Sequence, residues 1–192
     1  QGAAVIIIAR IAAQRMQRLI DDLLAYSRMS SQLLQLQSVD LRALVAEVAD
    51  QLGTSISESD ARLEIDQLPT VCADPFLMRQ VLQNLVSNAL KYRGADPPQI
   101  AIRAHRDAEA WTISVSDNGI GIDPKFFDKI FAPFQRLHSR EAYSGTGIGL
   151  AIARQAVERH DGRIWVESTE GEGAKFCFSI PIRAPAEDSE TA

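Results

Sequence analysis

Cysteine is close to absent from these 192 residues, and the two present do not build a site. Cys72 in "TVCAD" and Cys177 in "KFCFSI" sit in apolar surroundings without metal-ligand spacing. They read as buried free thiols of a reducing compartment rather than as a disulfide or metal framework. Positive charge does not dominate either. A net charge of −5 and a pI of about 5.2 exclude general electrostatic attraction to nucleic acid or anionic lipid. Long hydrophobic runs are missing: "AAVIIIA" is cut by Arg10, too short for a membrane span and without the basic leader of a signal peptide. The expectation is a cytoplasmic segment with no membrane contact and no nucleic-acid partner. Histidine is scarce as well, with only His105, His138 and His160.

What is there suits one globular domain plus an accessory element, at 46% hydrophobic and 23% charged residues. Apolar residues recur in steps of four and three at Val5, Ala9, Ala12, Met16, Leu19, Leu23, Tyr26 and Leu33. That 3.5-residue spacing predicts a helix of roughly 30 residues packed on another helix, a bundle or dimerisation arm. "SVDLRALVAEVADQLG" restarts a helix with Asp40 as N-cap and stops it at Gly53. "ARLEIDQLPTVCAD" gives two short strands around a proline break. Asp74-Pro75 opens an amphipathic helix that runs to Tyr92. "QIAIRAHRD" and "AWTISVSDN" form a hairpin, "PKFFDKIF" a short helix, and "QRLHSREAYSG" an aperiodic loop. "IGLAIARQAVERH" is a further helix, and "RIWVES" and "AKFCFSIPI" are closing strands around the turn "TEGEG". The expected division is a helical remnant over 1–38, a main domain over 39–183 and a solvated tail over 184–192. Strands in hairpins, alternating with helices, predict an α/β fold: helices layered on a mixed, mostly antiparallel sheet. They argue against a Rossmann unit, because "GIGID" opens only a loop and a short helix.

Five of the eleven glycines fall in "SDNGIGI" and "GTGIGL". Such tracts either mark turns or let backbone approach a ligand closely. Asn84 and Asn88, four residues apart, share one helix face. They are either surface amides or, with Lys91 and Tyr92 one turn on, hard ligands suited to a nucleotide with its Mg²⁺. Asp117 ends a strand before Gly119 and Gly121. It is either an Asx-turn cap or an acceptor for an exocyclic amine such as that of adenine. "GTGIGL" presents free amides at a helix start, where anions are favoured.

Together these elements resemble the catalytic, ATP-binding domain of sensor histidine kinases, of phytochrome-type and related kind. "QVLQNLVSNALKYRG" looks like the family's N box, "SDNGIGID" its first glycine box, "KIFAPFQRL" its F box and "GTGIGLAIARQAVERHDGRIWVES" its second glycine box. "QRMQRLIDDLLAYSR" resembles the second helix of the dimerisation and phosphotransfer hairpin. The resemblance implies a two-layer sandwich of the Bergerat type with ATP and Mg²⁺ as ligands. It makes Asn88 the Mg²⁺ ligand, with Asn84 supporting phosphates or metal-bound water. Lys91 and Tyr92 would flank the phosphates and ribose, Asp117 would take the adenine amine, and Gly119 and Gly121 would shape the adenine wall. Arg136 would approach the γ-phosphate. Gly145, Thr146, Gly147, Gly149 and Leu150 would form the phosphate loop, with residues 136–144 as the ATP lid. Implied partners are a helix bearing the phosphoacceptor histidine, a response regulator, and a second copy of the chain joined through the N-terminal helix.

The sequence departs from the pattern in three places. No histidine sits in the acidic context of an acceptor box, so γ-phosphoryl transfer would go to a histidine supplied elsewhere. Ala174 replaces a common hydroxyl residue, a loss of about 1 kcal/mol for one hydrogen bond. Asp161 stands where glycine is usual. Two other readings remain: a related ATPase of the gyrase and chaperone type, and a nucleotide-binding pseudokinase or scaffold. The ATPase needs a glutamate base one turn before Asn88, where Asn84 cannot take a proton from water.

Overall fold

The computed structural model describes residues 33–135, 137 and 146–183, together with Arg10, Ala13, Met16, Gln17, Ile20 and Leu23, which are all helical. Most of the expected N-terminal helix, residues 136 and 138–145, and the 184–192 tail lie outside the described residues. One correction falls at that helix's end. Leu33 is not helical and is 92% exposed.

Among the described residues, seven strands form two sheets. β1 (Gln37–Asp40) pairs antiparallel with β3 (Thr70–Ala73). The larger sheet has the order β2-β4-β5-β7-β6, from Arg62–Ile65, Gln99–Arg106, Ala110–Ser116, Ala174–Pro181 and Ile164–Ser168. Only β2 runs parallel to its neighbour β4; the other pairings are antiparallel. The two strands expected around the proline break exist but join different sheets. β1 is a strand that the sequence did not announce, because four residues with one buried side chain carry no readable alternation.

Helices α1 (Leu41–Gln51), α2 (Gly53–Glu58), α3 (Pro75–Lys91) and α4 (Gly149–Arg159) accompany the strands. Asp40 and Asp74 cap α1 and α3 as expected, each accepting two backbone N–H groups on its carboxylate. The stop at Gly53 is half right. α1 ends at Gln51, but Gly53 opens one more helical turn, held to the core by Ile56. "PKFFDKIF" forms two three-residue 3₁₀ turns, Pro124–Phe126 and Lys129–Phe131, instead of one helix, and Ile130 and Phe131 anchor the second.

α3 and α4 pack against each other and lie on the sheet. The helices bury Val81, Leu82, Leu85, Val86, Ile152 and Val157 against Ile100, Ile102, Ile113, Val115, Phe176 and Phe178. This single apolar layer makes the two-layer α/β sandwich. At about 25 cal/mol per Å² it is the main source of stability, and it holds the ends of β5, α3 and α4 together.

Candidate functional site

The site starts where β5 runs out. Asp117 N–H donates to Ala174 C=O at 2.8 Å, and Asp117 Oδ1 accepts from Ala174 N–H at 3.2 Å and from Gly119 N–H at 2.8 Å. The carboxylate is thereby pinned between two strands and its own turn. Burial pushes the Asp117 pKa up, opposed by the bonds from Gly119 and Ala174. Both bonds use Oδ1, and among the described residues no protein group donates to Oδ2. The Asx turn and a ligand acceptor, alternatives in the sequence, are compatible here because they use different oxygens.

Close packing explains the first glycine tract. A Cβ on Gly119 would stand 2.3 Å from the Tyr92 carbonyl oxygen, which the next residue, Ile120, binds through its N–H at 3.0 Å. Gly121 has φ +69°, and a Cβ there would meet Thr169 O at 2.1 Å. The turn "TEGEG" takes part as well, which the sequence did not reveal. A Cβ on Gly173 would lie 2.0 Å from Asp117 O, and Ser168 Oγ links Ile122 N–H to Gly173 O.

The amide face of α3 points to the same place. Asn88 and Tyr92 line a cavity of about 70 Å³ together with Asp117, Gly121, Leu150 and Ala174. Its remaining wall is largely apolar, from Ile120, Ile122, Ile130 and Phe176, with Gln135 and Leu137 from the F-box end. Asn84 does not line it. Its Oδ1 lies under the first turn of α4, so near that a Cβ on Gly149 would approach it to 2.6 Å. Lys91 Nζ donates to the Tyr92 hydroxyl at 2.7 Å beside the cavity. At the mouth, Gly147 has φ +79° and its carbonyl accepts Phe134 N–H at 2.9 Å. Thr146 Oγ1 accepts Ile148 N–H at 3.4 Å, and no side chain caps α4 among the described residues. The helix therefore starts at the cavity, with Leu150 of its first turn in the lining and no side-chain cap among the described residues. Arg136 and Gly145 lie outside the described residues.

A slot with one pinned carboxylate, an amide and a tyrosine, with the start of α4 at one end, suits a flat polar base followed by phosphates. The sequence profile described as histidine kinase-, DNA gyrase B- and HSP90-like ATPase matches residues 73–184. The chain belongs to this family. Within it, the chain is an ATP-binding catalytic domain of the histidine-kinase type, related to the sensor kinases. The chain is 48% identical over 167 residues to the phytochrome-like protein Cph1 of Synechocystis sp., covering 87% of this chain and 22% of Cph1. It thus spans about a fifth of that relative. Among solved structures, full-length ShkA in complex with AMPPNP superposes with a TM-score of 0.80 at 27% identity, covering 96% of this chain and 40% of ShkA. Histidine kinase ThkA in complex with response regulator protein TrrA gives a TM-score of 0.72 at 25% identity, covering 92% and 50%. Members of this kinase family bind ATP and Mg²⁺. No described helix is long and apolar enough to cross a membrane.

Proposed function

We propose that this cleft binds Mg·ATP and presents its γ-phosphoryl group to a histidine on a helix outside this sequence. The observation that carries the reading is the convergence of Asp117, Asn88, Tyr92 and Leu150 of the α4 start on one cavity. Asp117 Oδ2 accepts the adenine amine, and the apolar wall holds the ring. The α4 amides, with the Thr146 and Gly147 backbone, take the phosphates. The Asn88 amide oxygen holds Mg²⁺, and Lys91 and Arg136 add positive charge around the phosphates. When bound, Mg²⁺ neutralises charge between the β- and γ-phosphates. Asn84, wedged under Gly149, supports the loop from behind. The residues fit the ligand because a carboxylate oxygen, an apolar wall and the start of α4 face one cavity, as an amine, a flat ring and phosphates require.

The same reading supplies the partners. Met16, Ile20 and Leu23 are 60%, 52% and 49% exposed, an apolar stripe that a second copy would cover. A response regulator would receive the phosphoryl group downstream, as the ThkA–TrrA pairing suggests by analogy. The test combines titration of a fluorescent ATP analogue, with and without Mg²⁺, with incubation in γ-labelled ATP. Binding without protein-bound label or free phosphate is expected. Rapid phosphate release would refute the kinase reading in favour of an ATPase. Acid-labile label would make one of the three histidines an acceptor.

A further inference from the structure

His160 is the one buried polar or charged side chain among the described residues, at 1% exposure, and it is not part of the cleft. It occupies the C-cap of α4, but its ring does more than end a helix. Nδ1 lies 2.7 Å from Ala156 O, and Nε2 accepts Asp74 N–H at 2.9 Å. A carbonyl at Nδ1 and an N–H at Nε2 dictate the neutral imidazole with its proton on Nδ1. Asp74 caps α3 with Oδ1 and accepts Gln35 N–H on Oδ2 at 3.1 Å. Three segments thus meet at the Asp74–His160 pair: the chain entering β1, the start of α3 and the end of α4.

The geometry of the two helices gives this junction a reach. α3 begins at the junction and ends at Asn88 and Tyr92 in the cleft. α4 begins in the cleft at Gly149 and ends at the junction. Asn88 lies roughly 20 Å along the helix from Asp74, at 1.5 Å per residue. An axial slip of α3 along α4 would move Asn88 and Tyr92 against the first turn of α4, and the His160–Asp74 bond opposes that slip at the far end.

We propose that His160 is a positioning residue of the nucleotide cleft, fixing the axial register of α3 against α4 through the Asp74 N–H. The proposal rests on the reading of the cleft as an ATP site. Protonation at Nε2 would face the Asp74 N–H with a second donor and break the clamp. The charged groups around the ring are Asp74 from α3, which favours the cation, and Arg183 and Arg159, which oppose it. Arg183 also donates to His160 O at 3.2 Å and pairs with Asp161. Burial dominates and lowers the His160 pKa from its ordinary value. The clamp is therefore intact above the unfolded-state pKa of about 6.5 and is lost as pH falls through the lower folded value.

The test compares the wild type with His160→Gln, whose amide oxygen can still accept the Asp74 N–H, and His160→Leu, which cannot. Dissociation constants for a fluorescent ATP analogue with Mg²⁺ are measured between pH 8 and pH 5. The expected result at pH 8 is H160Q near wild type and H160L weaker by roughly fivefold, the size of one lost hydrogen bond. As pH falls through the lowered folded value of His160, the wild type should weaken relative to H160Q. Unchanged binding in H160L at pH 8 would overturn the proposal. Amide NMR of the nucleotide-free protein separates this from failure of the ATP reading. Asn88, Tyr92 and Gly149 amides should shift in H160L but not in H160Q, whether or not nucleotide binds. Shifts confined to the neighbours of Asp74 would refute the coupling.

Discussion

Replacing Asp117 by Asn tests the centre of the site with almost no change of shape. The amide oxygen can still accept Gly119 N–H and Ala174 N–H, now at 2.8 and 3.2 Å on Oδ1, so the turn and the β5–β7 clamp survive. The group at the Oδ2 position becomes an NH₂ donor, which confronts the adenine amine donor to donor. A charge-assisted hydrogen bond worth about 2–3 kcal/mol is lost, and binding should weaken roughly 30- to 150-fold. The assay is isothermal titration with Mg·ATP, with thermal melting of the free protein as the folding control. The control has its own expected sign. Burial raises the folded pKa of Asp117, so the ionised carboxylate opposes folding at neutral pH, and this penalty is relieved as pH falls through the folded value. D117N removes the penalty, and the nucleotide-free variant should melt no lower than wild type at pH 7. A variant that binds ATP within threefold of wild type would refute the role of Asp117. So would one that loses affinity only because it unfolds.

Other outcomes follow from contacts already described. Gly119→Ala forces a Cβ against the Tyr92 carbonyl and should cost about 1–3 kcal/mol of stability in denaturant unfolding, with weaker nucleotide binding. Gly149→Ala meets a side chain, Asn84 Oδ1, so the double variant with Asn84→Ala should recover most of the loss in the same measurement. Asp161→Ala should be less stable than Asp161→Gly by about 1–2 kcal/mol, because position 161 holds φ +57° and both variants lose the pair with Arg183 alike. Burial pushes the Cys177 thiol up to about 11, so mass spectrometry after alkylation of the native protein at pH 8 should find it unmodified.

Much of this site was legible because its parts are short-range. The α3 amide face follows from a four-residue spacing, and Asp117 with its glycines follows from a strand ending in a turn. Asp161 was legible only as an oddity. The structure gives its reason: Gly162 N–H bonds to Val157 O at 3.1 Å, a helix ending that requires a left-handed residue at Asp161. What stayed hidden depends on distant partners. Gly173 belongs to a hairpin turn in the sequence, and only the fold brings it against Asp117 O. The Asp74–His160 bond joins residues 86 positions apart, with no local pattern to announce it. β1 was unreadable for the same reason, since only β3 makes its four residues a strand.

The single parallel pairing, β2 with β4, has a consequence for how the protein reaches its active form. Parallel neighbours cannot be joined by a hairpin, and the chain between Ile65 and Gln99 must cross over, carrying β3 and all of α3 with it. The helix that bears Asn88 is therefore the crossover itself. Its register on the sheet is completed only when a contact of high sequence separation closes, a slow kind of event in folding. Competence to bind nucleotide should consequently appear among the last steps of refolding, after the local β4–β5 hairpin has formed. A chain caught before that closure would have much of its secondary structure and no site.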